Sequence, residues 1–184
     1  MYTLVRMATS EELAEWRQCP RCGAELEHAE ASVACPRCEL EAYANPAPTA
    51  SALILDDDGR VLLARRAAEP GEGLWDLPGG FMDEGEAPLE TLRREVREEA
   101  GVEIEPGAFV AGIPDRYGDG GPWTINFYWE ARLVGGEPRA ADDVAEFAWF
   151  RADELPPVAE FAFGNTIEIL EEWGGKFSPA QGSR

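Results

Sequence analysis

The sequence predicts an α/β protein preceded by a small four-cysteine ribbon. Three observations predict it. Short apolar runs with strand-like spacing flank one strongly patterned helix. All four cysteines fall within residues 19–38, as two Cys-Pro-Arg-Cys copies. A proline-rich joint, Asn45-Pro46-Ala47-Pro48, separates the two regions. The expected organisation is therefore an N-terminal helix and ribbon over 1–44, a main domain over 45–176 and a disordered tail over 177–184.

The elements follow in chain order. Thr9 precedes Ser10-Glu11-Glu12, so Thr9 as N-cap with Glu12 three positions on fits a capping box. Leu13 and Trp16 lie three apart and share one helical face. Ser51 to Leu55 and Val61 to Ala64 flank Asp56-Asp57-Asp58-Gly59-Arg60, where Asp-Gly supplies positive φ, so this stretch reads as a β-hairpin. Leu74-Trp75-Asp76-Leu77 reads as a short strand ended by Pro78-Gly79-Gly80. Pro88 to Ala100 reads as a helix, with Pro88 in the tolerated first turn and Gly101 as C-terminal cap. Strands are expected at Ala108–Ile113, Thr124–Leu133 and Glu146–Phe150. A last helix is expected from Thr166 to Trp173, with Asn165 as N-cap and Gly174-Gly175 as its stop.

Length and composition narrow the function classes. The chain has 184 residues, 45% hydrophobic, enough for one ordinary domain and a small appendage. It contains no apolar run of about 18 residues, so no membrane helix is expected, and Met1 to Ser10 does not read as a secretory signal. The expected location is cytoplasmic. The formal net charge is -20, from 36 acids against 16 bases. Such a surface repels nucleic acid and membrane phosphates, so neither is expected as a partner. A phosphate substrate would need divalent cations to bridge it to the protein.

The acids that matter lie on the Pro88–Ala100 helix. At about 100° per residue, with Glu95 at zero, Glu99 falls near +40° and Glu98 near -60°. The three carboxylates line one face. Leu92, Val96, Leu89 and Ala100 form an adjacent apolar stripe, and Arg93, Arg97 and Glu90 face the other way. Arg94 lies beside Glu98, four residues before it. Like charges at this spacing destabilise an isolated helix by about 0.2–0.5 kcal/mol per pair. A solvated Glu/Arg helix is one reading of the pattern. A hard-cation site is the other, since Mg²⁺ takes oxygen ligands from a few carboxylates together with substrate phosphates.

The longer pattern decides between them. From Gly80 to Val102 the chain reads Gly, five residues, Glu86, seven residues, Arg94-Glu95, Val96, one residue, Glu98-Glu99, one residue, Gly101-Val102. This resembles the Nudix box at every fixed position. In layout the resemblance covers about residues 48–175, including the Leu77-Pro78-Gly79-Gly80 approach and the Trp149-Phe150…Asp153-Glu154-Leu155-Pro156 ending. It implies an α/β/α sandwich around a mixed sheet and a metal-dependent enzyme, in which a water attacks phosphorus in a nucleoside diphosphate joined to another group. ADP-ribose-like compounds, dinucleotides and nucleoside triphosphates are the implied substrates. Carried across, Glu95, Glu98 and Glu99 are metal carboxylates for Mg²⁺ or Mn²⁺, the Gly80 carbonyl joins them, Arg94 orients the acids, and Glu86 ties the loop to the helix.

Cys19-Pro-Arg-Cys22 and Cys35-Pro-Arg-Cys38 form two knuckles. Four thiolates in two such pairs suit tetrahedral Zn²⁺ with no open position, a structural site. Two disulfides or four free thiols are the alternatives, and a cytosolic setting disfavours disulfides. His28, between the knuckles, reads as a surface residue. A ribbon before a Nudix domain is similar to the layout of NADH pyrophosphatases. Their Ser-Gln-Pro-Trp-Pro-Phe-Pro-x-Ser motif is absent, and only Pro122-Trp123 stands in that region.

Tyr117, Trp123, Phe127, Tyr128 and Trp129 crowd the segment after the box. Most suit core packing in a strand. Tyr117 and Trp123, beside the glycines of Asp115–Gly121, are the candidates for stacking on a base, and that glycine-rich loop is expected to be mobile. Asp142, Asp143 and Glu146 precede the Trp149-Phe150 strand, and Glu146 is the candidate late acid. Two other readings stay open: a non-enzymatic Nudix-fold sensor of a nucleotide sugar, and an interaction module built on the ribbon. A homodimer is compatible with either class.

Overall fold

The computed structural model describes residues 9–177. It divides into two compact units, one up to Ala47 and one from Pro48. The expectations placed on residues 1–8 and 178–184 lie outside the described residues.

In the first unit, helix α1 (Ser10–Glu15) starts at the expected capping box. Thr9 Oγ1 accepts from Glu12 N at 3.1 Å, and Glu12 Oε2 accepts from Thr9 N at 2.9 Å. Strands β1 (Glu27–His28), β2 (Ser32–Ala34) and β3 (Glu41–Tyr43) form an antiparallel sheet in that order. Leu13, Leu26, Val33 and Leu40 are buried together with Cys19 and Cys35, and Trp16 packs at their edge. His28 is exposed, as expected.

The second unit is built on β4 (Ala47–Leu55), β5 (Val61–Arg66), β8 (Glu103–Arg116), β9 (Trp123–Gly135) and β10 (Val144–Phe150), in the spatial order β10-β5-β4-β9-β8. Strand β6 (Trp75–Asp76) adds to β5 and β7 (Gly79–Phe81) to β4. Helix α2 (Pro88–Ala100) covers one face and α3 (Gly164–Phe177) the other. The alternation of β4 and β5 divides their side chains between the two faces. Ala50, Ala52, Ile54 and Leu62 meet Leu92, Val96 and Ala100 of α2. Leu53, Val61 and Leu63 meet Ile169, Leu170 and Trp173 of α3. This is the expected α/β/α sandwich around a mixed sheet. Leu92 and Val96 are completely buried, each worth roughly 1.5–3 kcal/mol of apolar transfer. Among the described residues, no helix is long and apolar enough to cross a membrane.

Helix α2 keeps its expected bounds, with Gly101 at φ 67° closing it through a bond to Arg97 O. Four local expectations are corrected. Gly79–Phe81 is a strand, paired with Thr49–Ser51, where Pro78-Gly79-Gly80 was expected only to end the strand before it. It can pair because glycine lets the backbones approach: a Cβ on Gly79 would collide with Ala50 O and Ser51. Leu89 is 37% exposed, because the packed stripe of α2 narrows to Leu92, Val96 and Ala100. Helix α3 starts before Asn165, whose N–H donates to Asp115 Oδ2 at 3.1 Å, so β8 supplies this hydrogen bond at the helix start. Its Gly174-Gly175 pair does not stop it. A helical glycine costs about 1 kcal/mol, less than burial of the preceding Trp173 returns.

Candidate functional site

The site begins with the turn between β7 and α2. Arg94 is its hub. Its guanidinium donates to Glu86 through Nε (2.9 Å) and Nη2 (2.8 Å), to Phe81 O through Nη2 (3.0 Å), and through Nη1 to Glu95 (2.7 Å) and Glu98 (3.1 Å). Glu86 also accepts from Thr91 Oγ1 at 2.7 Å and Asp83 N at 3.2 Å. It thereby ties the loop to the helix, and the Arg94 and Thr91 hydrogen bonds hold its carboxyl down at about 2.

Glu95 and Glu99 point into a cleft with Gly79 and Gly80 on its floor. Gly80 leaves room for Glu95: a Cβ there would lie 2.6 Å from the Glu95 carboxyl carbon. Glu99 is 7% exposed and accepts from Gly79 N at 3.0 Å. Burial, then the neighbouring Asp143, holds the Glu99 carboxyl well above the usual carboxylate range, against the Gly79 N–H. Burial likewise raises Glu95, against Arg94. Glu98, with a half-exposed side chain held by Arg94 Nη1, does not line the cleft. The three carboxylates do not close on a point, since Arg94 Nη1 holds two of them and Gly79 the third.

Of the residues expected at the site, Gly80, Arg94, Glu95, Glu99 and Tyr117 line this cleft. Trp123 does not. It is 46% exposed and lies against the Arg116 guanidinium, 4.4 Å from its ring centroid. Glu146 does not either: it is an exposed partner of Arg65 at 2.9 Å. The acids of that segment that reach the cleft are Asp142 and Asp143. Their loop is pinned to the end of α2, with Ala141 N donating to Glu99 O and Arg139 N to Ala100 O, and Asp142 turns it at φ 54°. Sequence reasoning missed Arg66, Asp76 and Phe163, which also line the cleft. Asp76 carried a signal, as a lone acid inside an apolar strand.

Two carboxyls turned into one cleft, with Asp143 beside them, suit a cation. Mg²⁺ and Mn²⁺ are met by oxygen donors, few of them protein carboxylates, so acids that border a cleft without converging fit a hydrated ion. The cysteines differ. Cys19 Sγ lies 3.5 Å from Cys38 Sγ, Cys22 Sγ lies 3.5 Å from Cys35 Sγ, and all four fall within 4.8 Å of one another. Thiolates at about 2.3 Å around tetrahedral zinc would stand about 3.8 Å apart, which these positions fit. The knuckles are copies. Gly23 N donates to Cys19 O and Glu39 N to Cys35 O, and both residues take left-handed φ, 70° and 56°.

Residues 45–170 match the NUDIX domain family. The chain belongs to the Nudix family. A Nudix relative named ADP-ribose pyrophosphatase, from Methanocaldococcus jannaschii, is 34% identical over 71% of this chain and 76% of its own length. A relative named NAD-capped RNA hydrolase NudC, from Stutzerimonas stutzeri, is 30% identical over 78% of this chain. That match spans 51% of the relative's length. The crystal structure of a NUDIX hydrolase from Nitrosomonas europaea superposes with a TM-score of 0.71 at 25% identity, over 88% of this chain and 92% of that one. The chain is accordingly a Nudix hydrolase, of a family that uses divalent metal ions and acts on small nucleotides.

Proposed function

We propose that this Nudix chain hydrolyses a phosphoanhydride in a nucleoside diphosphate joined to a second group, with Mg²⁺ or Mn²⁺ in the cleft and structural zinc on the four thiols. The observation that carries the reading is the pair Glu95 and Glu99, turned into one cleft with carboxyls raised by burial. Bound there, a divalent cation would offset the diphosphate charge and lower the pKa of a water. Arg94 fixes Glu95 and Glu98 by hydrogen bonds, and Gly79 N–H fixes Glu99. Asp143 replaces Glu146 as the late acid: it stands across from Glu95 and Glu99 and takes the proton of the attacking water at its carboxylate. The water oxygen bonds to phosphorus, the bridging P–O bond breaks, and two phosphate monoesters leave.

The relative named for ADP-ribose makes ADP-ribose the first substrate to try, and the relative named for NAD-capped RNA makes a dinucleotide the second. The test is kcat/KM for ADP-ribose, NADH, diadenosine polyphosphates and nucleoside triphosphates, with each metal and with products resolved by chromatography. ADP-ribose is expected to match or exceed NADH. A preference for NADH above about tenfold, roughly 1.4 kcal/mol of transition-state discrimination, would overturn that order. Tight binding of ADP-ribose with no turnover of any compound would favour the sensor instead.

A further inference from the structure

Asp76 stands in the cleft, and the hydrolytic step does not use it. Alternation along β6 sends Trp75 into the core under α3 and Asp76 the other way. Asp76 Oδ1 is engaged, accepting from Thr166 Oγ1 at 2.5 Å and from Leu77 N at 2.8 Å. Oδ2 accepts no hydrogen bond among the described residues. It lies 3.8 Å from Arg66 Nη1, too far for one.

Arg66 is held as firmly. Nε donates to Pro70 O at 2.6 Å and Nη2 to Tyr117 Oη at 3.2 Å. Its guanidinium lies 5.3 Å from the Phe163 ring centroid and 5.9 Å from that of Tyr117, within cation–π range. Nη1 donates no hydrogen bond among the described residues. A fixed acceptor and a fixed donor thus stand side by side in the cleft, on side chains only 19% and 14% exposed.

An anion is a poor occupant of this place. Asp76 offsets Arg66, and Asp143 and Glu99 add negative charge nearby. A neutral planar group with a donor beside an acceptor fits. In a nucleotide that group is the base. Resting on the nucleotide reading above, we propose that Asp76 Oδ2 and Arg66 Nη1 read the substrate's base and select adenine over guanine. Adenine presents its N6 amino donor beside the N7 acceptor. Guanine presents O6 and N7 there, two acceptors, and O6 would meet the Asp76 carboxylate. The N1–H and O6 of guanine offer a donor and an acceptor on another edge, but O6 is carried by the ring carbon bonded to N1, so the two stand close together. Adenine N6 and N7 stand further apart and suit the 3.8 Å gap better.

This assignment changes the role of Tyr117. One face stacks on Phe163, at 5.6 Å and 17°, and its hydroxyl holds Arg66. Tyr117 is then a positioning residue for Arg66 and not the surface on which a base stacks. Phe81, 39% exposed at the cleft, keeps free aromatic surface.

The test is calorimetric binding of adenosine and guanosine monophosphates, which needs no turnover. The unaltered protein should prefer the adenine nucleotide by about tenfold or more, in the range expected of a hydrogen bond to a charged group. Asp76→Asn places an amide N–H where guanine O6 falls, so the ratio should drop below about threefold. Thr166→Val removes one of the two Oδ1 partners, leaves Oδ2 as it is, and should keep the adenine preference. Equal binding of the two nucleotides by the unaltered protein overturns the proposal. So does an equal loss for both in Asp76→Asn, the result expected of a purely structural aspartate. If circular dichroism shows that Asp76→Asn does not fold, Arg66→Lys is read in its place, because it keeps the charge, loses the fork and should reduce the same ratio. An adenine preference without hydrolysis of any substrate would sink the hydrolytic reading and leave the base assignment standing.

Discussion

The cysteine knuckles and the acidic helix both gather groups that repel one another when charged, and they do so differently. In the knuckles four sulfurs approach to within 4.8 Å, each pair placed by the same short turn. On α2 Glu95 and Glu99 face one cleft without meeting, because Arg94 Nη1 bridges Glu95 to Glu98 while the Gly79 N–H holds Glu99. Four soft ligands at tetrahedral spacing leave no position for a substrate, as a structural centre requires. Separated hard ligands leave room for water and phosphate oxygen, as a reactive centre requires. With the proposed metals bound, the difference would lie in who completes the shell: the chain itself in the first region, the substrate in the second.

The largest expected effect breaks the reactive side of this contrast. Glu98→Gln and Glu99→Gln should each lower turnover by about a hundredfold or more with circular dichroism unchanged, since each loses a charged cation ligand but keeps its shape. Activity equal to the unaltered enzyme on a substrate that it cleaves would remove these acids from the site. The structural side should respond in fold and not in chemistry. The protein should carry about one zinc per chain, and chelation or Cys35→Ser should speed hydrogen exchange before Asn45 while amides of α2 stay protected. Finding no zinc by metal analysis, with four titratable thiols, would end that half of the comparison.

Two smaller effects sharpen it. Glu86 belongs to the Arg94 hub, and its carboxyl is held at about 2 instead of the usual 4.5. A lowered folded-state value means that the unfolded chain binds the proton more readily. Glu86 therefore stabilises the fold above about pH 4.5, and this contribution is lost as pH falls towards about 2. Melting temperatures over that window should fall less steeply in Glu86→Gln, and an unchanged slope would mean that the hub adds nothing to stability. In the knuckles, Glu39 takes the left-handed turn that Gly23 takes in the other copy. Glu39→Gly should relieve about 1 kcal/mol of steric strain, read as a higher melting temperature of the zinc-loaded protein.

Much of both regions was legible in the chain, because both depend on neighbours in sequence. The Thr9 capping box, the Gly101 cap, the apolar stripe Leu92-Val96-Ala100 and the knuckle turns act over a few residues, where periodicity and turn chemistry hold. What was misread depends on distant partners. Pro78-Gly79-Gly80 reads only as the end of a strand until β4 offers Gly79–Phe81 a strand to pair with. Asp115 donates no signal to α3 in sequence, yet it accepts the Asn165 N–H fifty residues on. Gly174-Gly175 reads as a stop unless the burial of Trp173 is counted.

The site divides along the same line. By itself the sequence determined that Glu95, Glu98 and Glu99 share a helical face beside Arg94, and that four cysteines come in two matched turns, because fixed rotation and rise per residue convert spacing into direction. Only the tertiary structure decided which face of β6 carries Asp76, that Arg66 stands beside it, and that Asp143 and not Glu146 looks across the cleft at Glu99. Those three depend on strand register and on a loop pinned to the carbonyls of α2. One residue of slip in either would send the same side chains to solvent, and no local spacing records which register is taken.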